Sequence, residues 1–190
     1  MSIVQISQPG DLKLDRINKI LSGIPDGVFK ATHSAMKRAG DTAKTKAGQF
    51  AAAEYTIAKG DFMRNVTQKT RVDGGHGGVA SLSISFAGNV LPLLTFNTKF
   101  SRNGQITTQI KRNGGAATLQ HAFTASMYGR TGVYERVGAP RFPVEQKYGP
   151  STGHMMQNEQ VVEKMEQTIL STYEQRIDHE VLRVLNGWGG

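Results

Sequence analysis

Val79-Ala80-Ser81-Leu82-Ser83-Ile84-Ser85-Phe86 is the stretch that decides the fold, because Leu82, Ile84 and Phe86 alternate with Ser81, Ser83 and Ser85. A period of two puts apolar side chains on one face of an extended strand and hydroxyls on the other, as in an antiparallel sheet with one side on a core. The same reading extends to Val66–Val72, Val90–Phe96 and Gln105–Arg112, which are separated by glycine or asparagine turns. Upstream the spacing becomes helical. From Pro25, where a missing N–H costs nothing in a first turn, Val28, Thr32, Ala35, Met36, Ala39, Ala43, Ala47 and Phe50 fall on one side of a long helix predicted over 25–53. Its alanine stripe lets a sheet or a facing helix approach closely. Downstream, Asn158 is an N-cap with Glu159 in the first turn, Val162, Met165, Ile169, Tyr173, Ile177, Val181 and Val184 share a face, and Gly187 stops a helix over 158–186. The expected fold is therefore α+β. A mainly antiparallel sheet, built from 66–112 and 132–147, carries the long N-terminal helix and the long C-terminal helix on one side, and 1–190 is read as one domain.

The remaining segments are shorter. Ile3, Val4 and Ile6 suit an edge strand before the Pro9-Gly10 breaker, and Asp11 caps a short helix with Leu14, Ile17, Ile20 and Leu21 on one face and Gly23 at its stop. After Lys59-Gly60, Asp61 to Arg64 make a capped turn or short helix. Asp73 to Gly78 is a flexible hairpin loop, expected to become ordered only against a neighbour; it lacks the Gly-Lys-Ser/Thr or strand–GxGxxG–helix context of a phosphate cradle. Asn113-Gly114-Gly115 turns the chain into a short apolar element with Leu119, Ala122 and Phe123 that ends near Tyr128-Gly129. Two short strands surround Gly138-Ala139-Pro140, with Pro143 placing the second at an edge or bulge. Tyr148 to Ser151 then reads as a bend, Gly153 to Gln157 as a loop, and 187–190 as a loose tail.

Composition excludes several kinds of protein. Apolar residues make 38% of the chain and charged residues 20%, which is enough order-promoting content for a core. With no cysteine there is no disulfide scaffold, no Cys-ligated metal and no thiol nucleophile. No apolar run reaches the roughly 20 residues of a membrane span, and the start lacks the order of a signal peptide, so a soluble protein made in the cytoplasm and free of membrane is expected. Charge is segregated: twelve basic residues face six acidic ones in 1–72, eight face three in 73–157, and three face six in 158–190. A basic body with an acidic C-terminal segment favours ordered association with a neighbouring copy or with a polyanion such as DNA. The candidate DNA-facing residues are Lys37, Arg38, Lys44 and Lys46 on the long helix, which otherwise form a solvated face.

Catalytic patterns are missing from the sequence. His33, His76, His121, His154 and His179 have no metal-binding spacing, and no metal or cofactor is expected. His179-Glu180 is a dipole-compatible pair near a helix end. Glu135 and Glu145 could flank a cleft as the paired carboxylates of glycoside hydrolysis, but Arg136, Arg141 and Lys147 beside them favour ion pairing. The serines of 81–85 lack a Gly-x-Ser-x-Gly elbow.

Phe123, Gly132-Val-Tyr-Glu-Arg-Val-Gly138, Arg141-Phe-Pro-Val-Glu145, Tyr148-Gly-Pro-Ser151, Met155-Met156 and the terminal helix together resemble the lambda-type minor tail protein Z family of tailed phages and prophages. The alanine-rich basic helix and strand-rich middle are similar in kind to that family and to related tail-completion proteins, although Phe142 and Val144 stand where Leu and Ile are expected and the chain is less basic than the most basic members. The resemblance implies a non-enzymatic virion protein for tail completion or head–tail connection, at the head-proximal end of the tail. It would act as a ring of six copies, or of twelve, beside the tail terminator, the tail tube or sheath and the neck or connector proteins, with transient contact to packaged DNA. It would reside in the host cytoplasm during assembly and in the virion afterwards.

Residues 132–151, with Arg130 just before them, are expected to form the principal protein–protein contact. Arg130, Tyr134, Arg136, Arg141, Phe142 and Tyr148 are of the types that dominate interface energetics, on a frame stiffened by Pro140, Pro143 and Pro150. In the competing reading, Phe142 and Val144 close the subunit's own core while the arginines pair with Glu135 and Glu145.

Overall fold

The computed structural model of the protein describes residues 2–7, 12–74, 80–127 and 129–187. Outside them lie Pro9-Gly10, the Asp11 cap, Gly75 to Gly78 of the hairpin loop, Val79, Tyr128 and 188–190 of the tail. The chain is α+β, with antiparallel sheets, a long helix in its N-terminal part and a long C-terminal helix. The chain groups into two compact units, the first comprising 1–47, 68–86 and 162–190 and the second 48–67 and 87–161.

In the first unit, β1 (Ser2–Ser7) pairs antiparallel with β3 (Ala80–Ala87), and β2 (Thr67–Gly74) flanks β3 on its other side. Leu82, Ile84 and Phe86 are fully buried and the intervening serines half-buried, as the alternation requires. The helices of this unit are α1 (Leu12–Leu21), most of α2 (Gly27–Glu54) and most of the terminal helix (Glu159–Leu185). On α2 the alanines at 31, 35, 39, 43 and 47 are completely buried. Gly40 continues this close approach: a Cβ there would lie 3.0 Å from Leu82 Cδ1 and 3.1 Å from Thr70 Cγ2. α2 starts at Gly27 rather than Pro25, because Asp26 takes a left-handed φ of 56° and turns the chain first. On the terminal helix, Asn158 Oδ1 accepts from Gln160 N at 3.0 Å, and Gly187 closes the far end with a φ of 74°. The stripe of that helix runs from Val161, which is fully buried, rather than from half-buried Val162.

The second unit holds the remaining elements. They are α3 (Lys59–Asn65), β4 (Val90–Pro92), a 3-10 turn (Leu93–Thr95), β5 (Asn97–Phe100), β6 (Ile106–Gln109), β7 (Ala117–Leu119), β8 (Ala122–Met127), β9 (Arg130–Arg136), β10 (Val144–Gln146), β11 (Tyr148–Ser151) and α4 (Thr152–Met155), after which the terminal helix, α5, begins. Their strands form three small antiparallel sheets, β5-β6-β7, β8-β9-β10 and β4-β11. The single sheet expected over 66–112 and 132–147 is therefore four sheets among the described residues.

Side-chain and backbone bonds break the expected continuity. The strand read over Val90–Phe96 stops at Pro92, which has no N–H to donate, and Leu93 O then accepts from Phe96 N at 3.0 Å and Thr98 Oγ1 at 2.6 Å. The strand read over Gln105–Arg112 ends at Gln109 because Ile110 O accepts from Thr56 N at 2.8 Å and Arg112 N donates to Glu54 O at 2.9 Å. Residues 148–151 are a bulged strand on β4 rather than a bend. Ser151 Oγ accepts from His154 N at 3.1 Å, so the expected loop at 153–157 instead opens with helix α4. Among the described residues no helix is long and apolar enough to cross a membrane.

Candidate functional site

The segment singled out in the sequence is organised by β9, the central strand of β8-β9-β10. Phe123 of β8 and Gln146 of β10 flank Tyr134 in register. Tyr134 is buried, its ring 6.3 Å from that of Phe123, and the Arg136 guanidinium lies over the same Phe123 ring, 5.5 Å from its centroid. An arginine on a phenylalanine on a tyrosine is a cation–π and aromatic stack. Tyr134 thus belongs to the subunit's own packing, which corrects its assignment as an interface residue. A central strand buries Gly132, Val133 and Tyr134 in succession, so Tyr134 has no free face.

The other residues fall at the surface. Arg130 and Arg136 are exposed at the two ends of β9. The connection from β9 to β10 is closed by Val137 N donating to Pro143 O at 3.1 Å, and it carries Val137 at 57% exposure and Phe142 at 61%. Arg141 covers the Phe142 ring from 5.7 Å. Phe142 is therefore no core plug but an apolar knob capped by its own neighbour's charge. Tyr148, about half exposed, is fixed by donating its hydroxyl to Gln146 Oε1 at 2.7 Å.

The two glutamates face each other in register across β9 and β10. Like charges directly opposite repel, and Lys147 answers them: its Nζ is 2.5 Å from Glu135 Oε2, and this hydrogen bond raises the lysine pKa above its usual value against the opposing effect of burial, with the Glu135 and Glu145 charges adding to the rise. Ion pairing of Glu135 is thus what the geometry delivers. A surface cavity of about 620 Å³ opens beside it, lined by His121, Phe123, Glu135, Arg136, Gly138 and Ala139. Among the described residues no group of three or more histidine, aspartate or glutamate side chains could hold a metal ion.

The four cations considered for DNA divide into two pairs. Lys37 and Lys46 are exposed. Lys44 Nζ sits 2.9 Å from Asp41 Oδ1, and Arg38 Nε sits 2.6 Å from Oε1 of Glu180, a carboxylate only 2% exposed. Glu180 Oε2 also accepts from Arg183 Nη1 at 3.1 Å, whereas the Arg38 N–H is not aligned on Oε1, which makes that contact ionic and leaves Oε1 without a hydrogen bond. Sequence reasoning missed this clasp between α2 and α5. Its signal was a glutamate three residues beyond Ile177 on the apolar side of a helix, with an arginine three further on. It also missed an apolar groove of about 290 Å³ between α1 and α5, where Ile20, Leu182 and Leu185 are exposed. Its traces in the sequence were Ile17 and Ile20 on the apolar face of the first helix and, on the last, leucines standing off the main stripe.

No protein-family description, curated protein or solved structure matches the chain.

Proposed function

We propose that the protein is a structural component of a tailed phage or prophage particle that completes the tail or joins it to the head, acting as an oligomeric ring without catalysis. The observation that carries this reading is the knob: Phe142 and Val137 stand in solvent beside Arg141, on a connection tied at its mouth and framed by Pro140 and Pro143. An exposed aromatic with an arginine on a stiff frame is the makeup of an interface anchor, since little side-chain or loop entropy remains to be lost on docking. The family resemblance of 132–151 supplies the kind of assembly, and the charge segregation supplies an acidic partner face for a basic body.

The test is to label the protein in intact particles and locate it by electron microscopy, alongside particles made without it. Density at the head-proximal end of the tail, with unjoined heads and tails in its absence, is expected. Complete infectious particles lacking the protein would overturn the reading. A monomer that binds duplex DNA with steeply salt-dependent affinity, and through Lys37 and Lys46, would replace it with non-specific DNA binding.

A further inference from the structure

We propose that the copies associate head to tail, the Phe142 knob of one seating in the α1–α5 groove of the next with Arg141 meeting Asp178. The proposal deepens the ring reading above and rests on it for the partner being a second copy. Five of the exposed large apolar side chains fall at these two places, Val137 and Phe142 on the β9–β10 connection and Ile20, Leu182 and Leu185 around the groove, while Val90, Phe100, Tyr148 and Leu170 are exposed elsewhere. The groove floor is buried Ile17 and Val181. It offers about 290 Å³, room for an aromatic side chain, and a phenylalanine buries about 150–250 Å² there. That makes the knob an anchor within a larger contact rather than the whole of one.

Charge sets the direction. Asp178 and Arg16 both line the groove and both are exposed, with no ion pair between them or to another described residue. Asp178 stands on the segment whose net charge is negative, while Arg141 comes from the basic part of the chain and, among the described residues, is engaged only by the Phe142 ring. An approach that brings Arg141 to Asp178 gains an ion pair, and the reverse orientation sets it against Arg16. Two copies that exchanged knob and groove reciprocally would stop at a two-fold dimer; in the ring reading each copy gives its knob to one neighbour and its groove to the other, and such heterologous contacts propagate until the rotation closes.

Full-length protein and two variants decide the matter by analytical ultracentrifugation across a concentration series. Phe142→Asp keeps the groove and loses the knob; Leu182→Asp keeps the knob and loses the groove. Both sites are exposed, and circular dichroism should show unchanged folds. The wild type is expected to form oligomers, each variant alone to self-associate at least tenfold more weakly, and an equimolar mixture to form a one-to-one heterodimer that grows no further. Arg141→Glu and Asp178→Arg should each weaken assembly, and their combination in one chain should restore it. A wild type that stays monomeric, variants that assemble normally, a mixture that stays monomeric, or a charge swap without rescue would each overturn the proposal. Head-to-tail assembly by a protein absent from phage particles would instead overturn the proposed function and leave the contact standing.

Discussion

Replacing Arg38 by alanine separates a structural cation from a DNA-facing one. The Glu180 carboxylate it touches is almost wholly buried, and without Arg38 it keeps the single hydrogen bond from Arg183. Removing one partner of a buried ion pair costs about 3–5 kcal/mol when the other charge is left alone. Here Arg183 remains, and the Arg38 side chain is 48% exposed, so solvent screens the pair and about 1–2 kcal/mol is expected. At this chain length that lowers Tm by about 2–8 °C. Differential scanning calorimetry of Arg38→Ala, Lys37→Ala and Lys46→Ala would show the first well below wild type and the other two within about 0.5 kcal/mol of it. In a Glu180→Leu background Arg38→Ala should cost nearly nothing, because the carboxylate that needed it is gone. Equal melting of all three single variants, with an equal loss of duplex affinity, would show that Arg38 serves the same surface role as its neighbours and that the clasp is energetically idle.

Three further outcomes follow from the second unit. Gly149→Ala places a Cβ within 3.0 Å of the buried Phe96 ring and should destabilise by about 1–3 kcal/mol in thermal melts, whereas Gly60→Ala, with open space around it on α3, should be neutral or slightly stabilising. Burial raises the Tyr55 pKa above 10.0, with the Glu54 charge adding to it and an Asn158 hydrogen bond opposing it. The unfolded chain then ionises first, so stability falls as pH rises past 10, and ultraviolet titration should show a late phenolate that Tyr55→Phe removes. Glu135→Gln should bring the Lys147 pKa back towards 10.5 in an NMR titration of the labelled ammonium; the pair's contribution is full below 10.5 and is lost as pH rises through the raised folded value. A Lys147 titration unmoved by the change would show the ion pair is absent in solution.

Periodic elements were legible, and elements held by distant bonds were not. β3 and the two long helices show their period over eight or more residues, so the burial of Leu82, Ala39 or Ile169 can be read directly from spacing. β5, β7, β10 and β11 are three or four residues long and show no period. Their positions depend on bonds such as Lys147 N to Val133 O at 2.8 Å and Thr56 Oγ1 to Ile110 O at 3.3 Å, which join residues far apart in sequence. The site shows the same divide. Residue type marked Tyr134 and Phe142 alike as interface aromatics, but which one faces outward depends on β9 being flanked on both edges while the chain after Val137 leaves the sheet.

The charge pattern also gains a meaning that a sum over segments cannot carry. On α2, Arg38 and Lys44 are neutralised by Glu180 and Asp41, so half of the suspected DNA surface is occupied by contacts within the subunit. Around β9 the balance is different. Arg136 and Arg141 lie over phenylalanine rings, which attract a guanidinium without cancelling its charge, and Arg130 stands exposed at the start of the strand. A ring holds an arginine flat and in place while leaving its N–H groups available at the edge for a carboxylate. The cations best prepared to meet an acidic protein surface are therefore on this sheet and its connection, beside the exposed Phe142, whereas a polyanion-binding helix would need the very side chains that α2 has committed to Asp41 and Glu180.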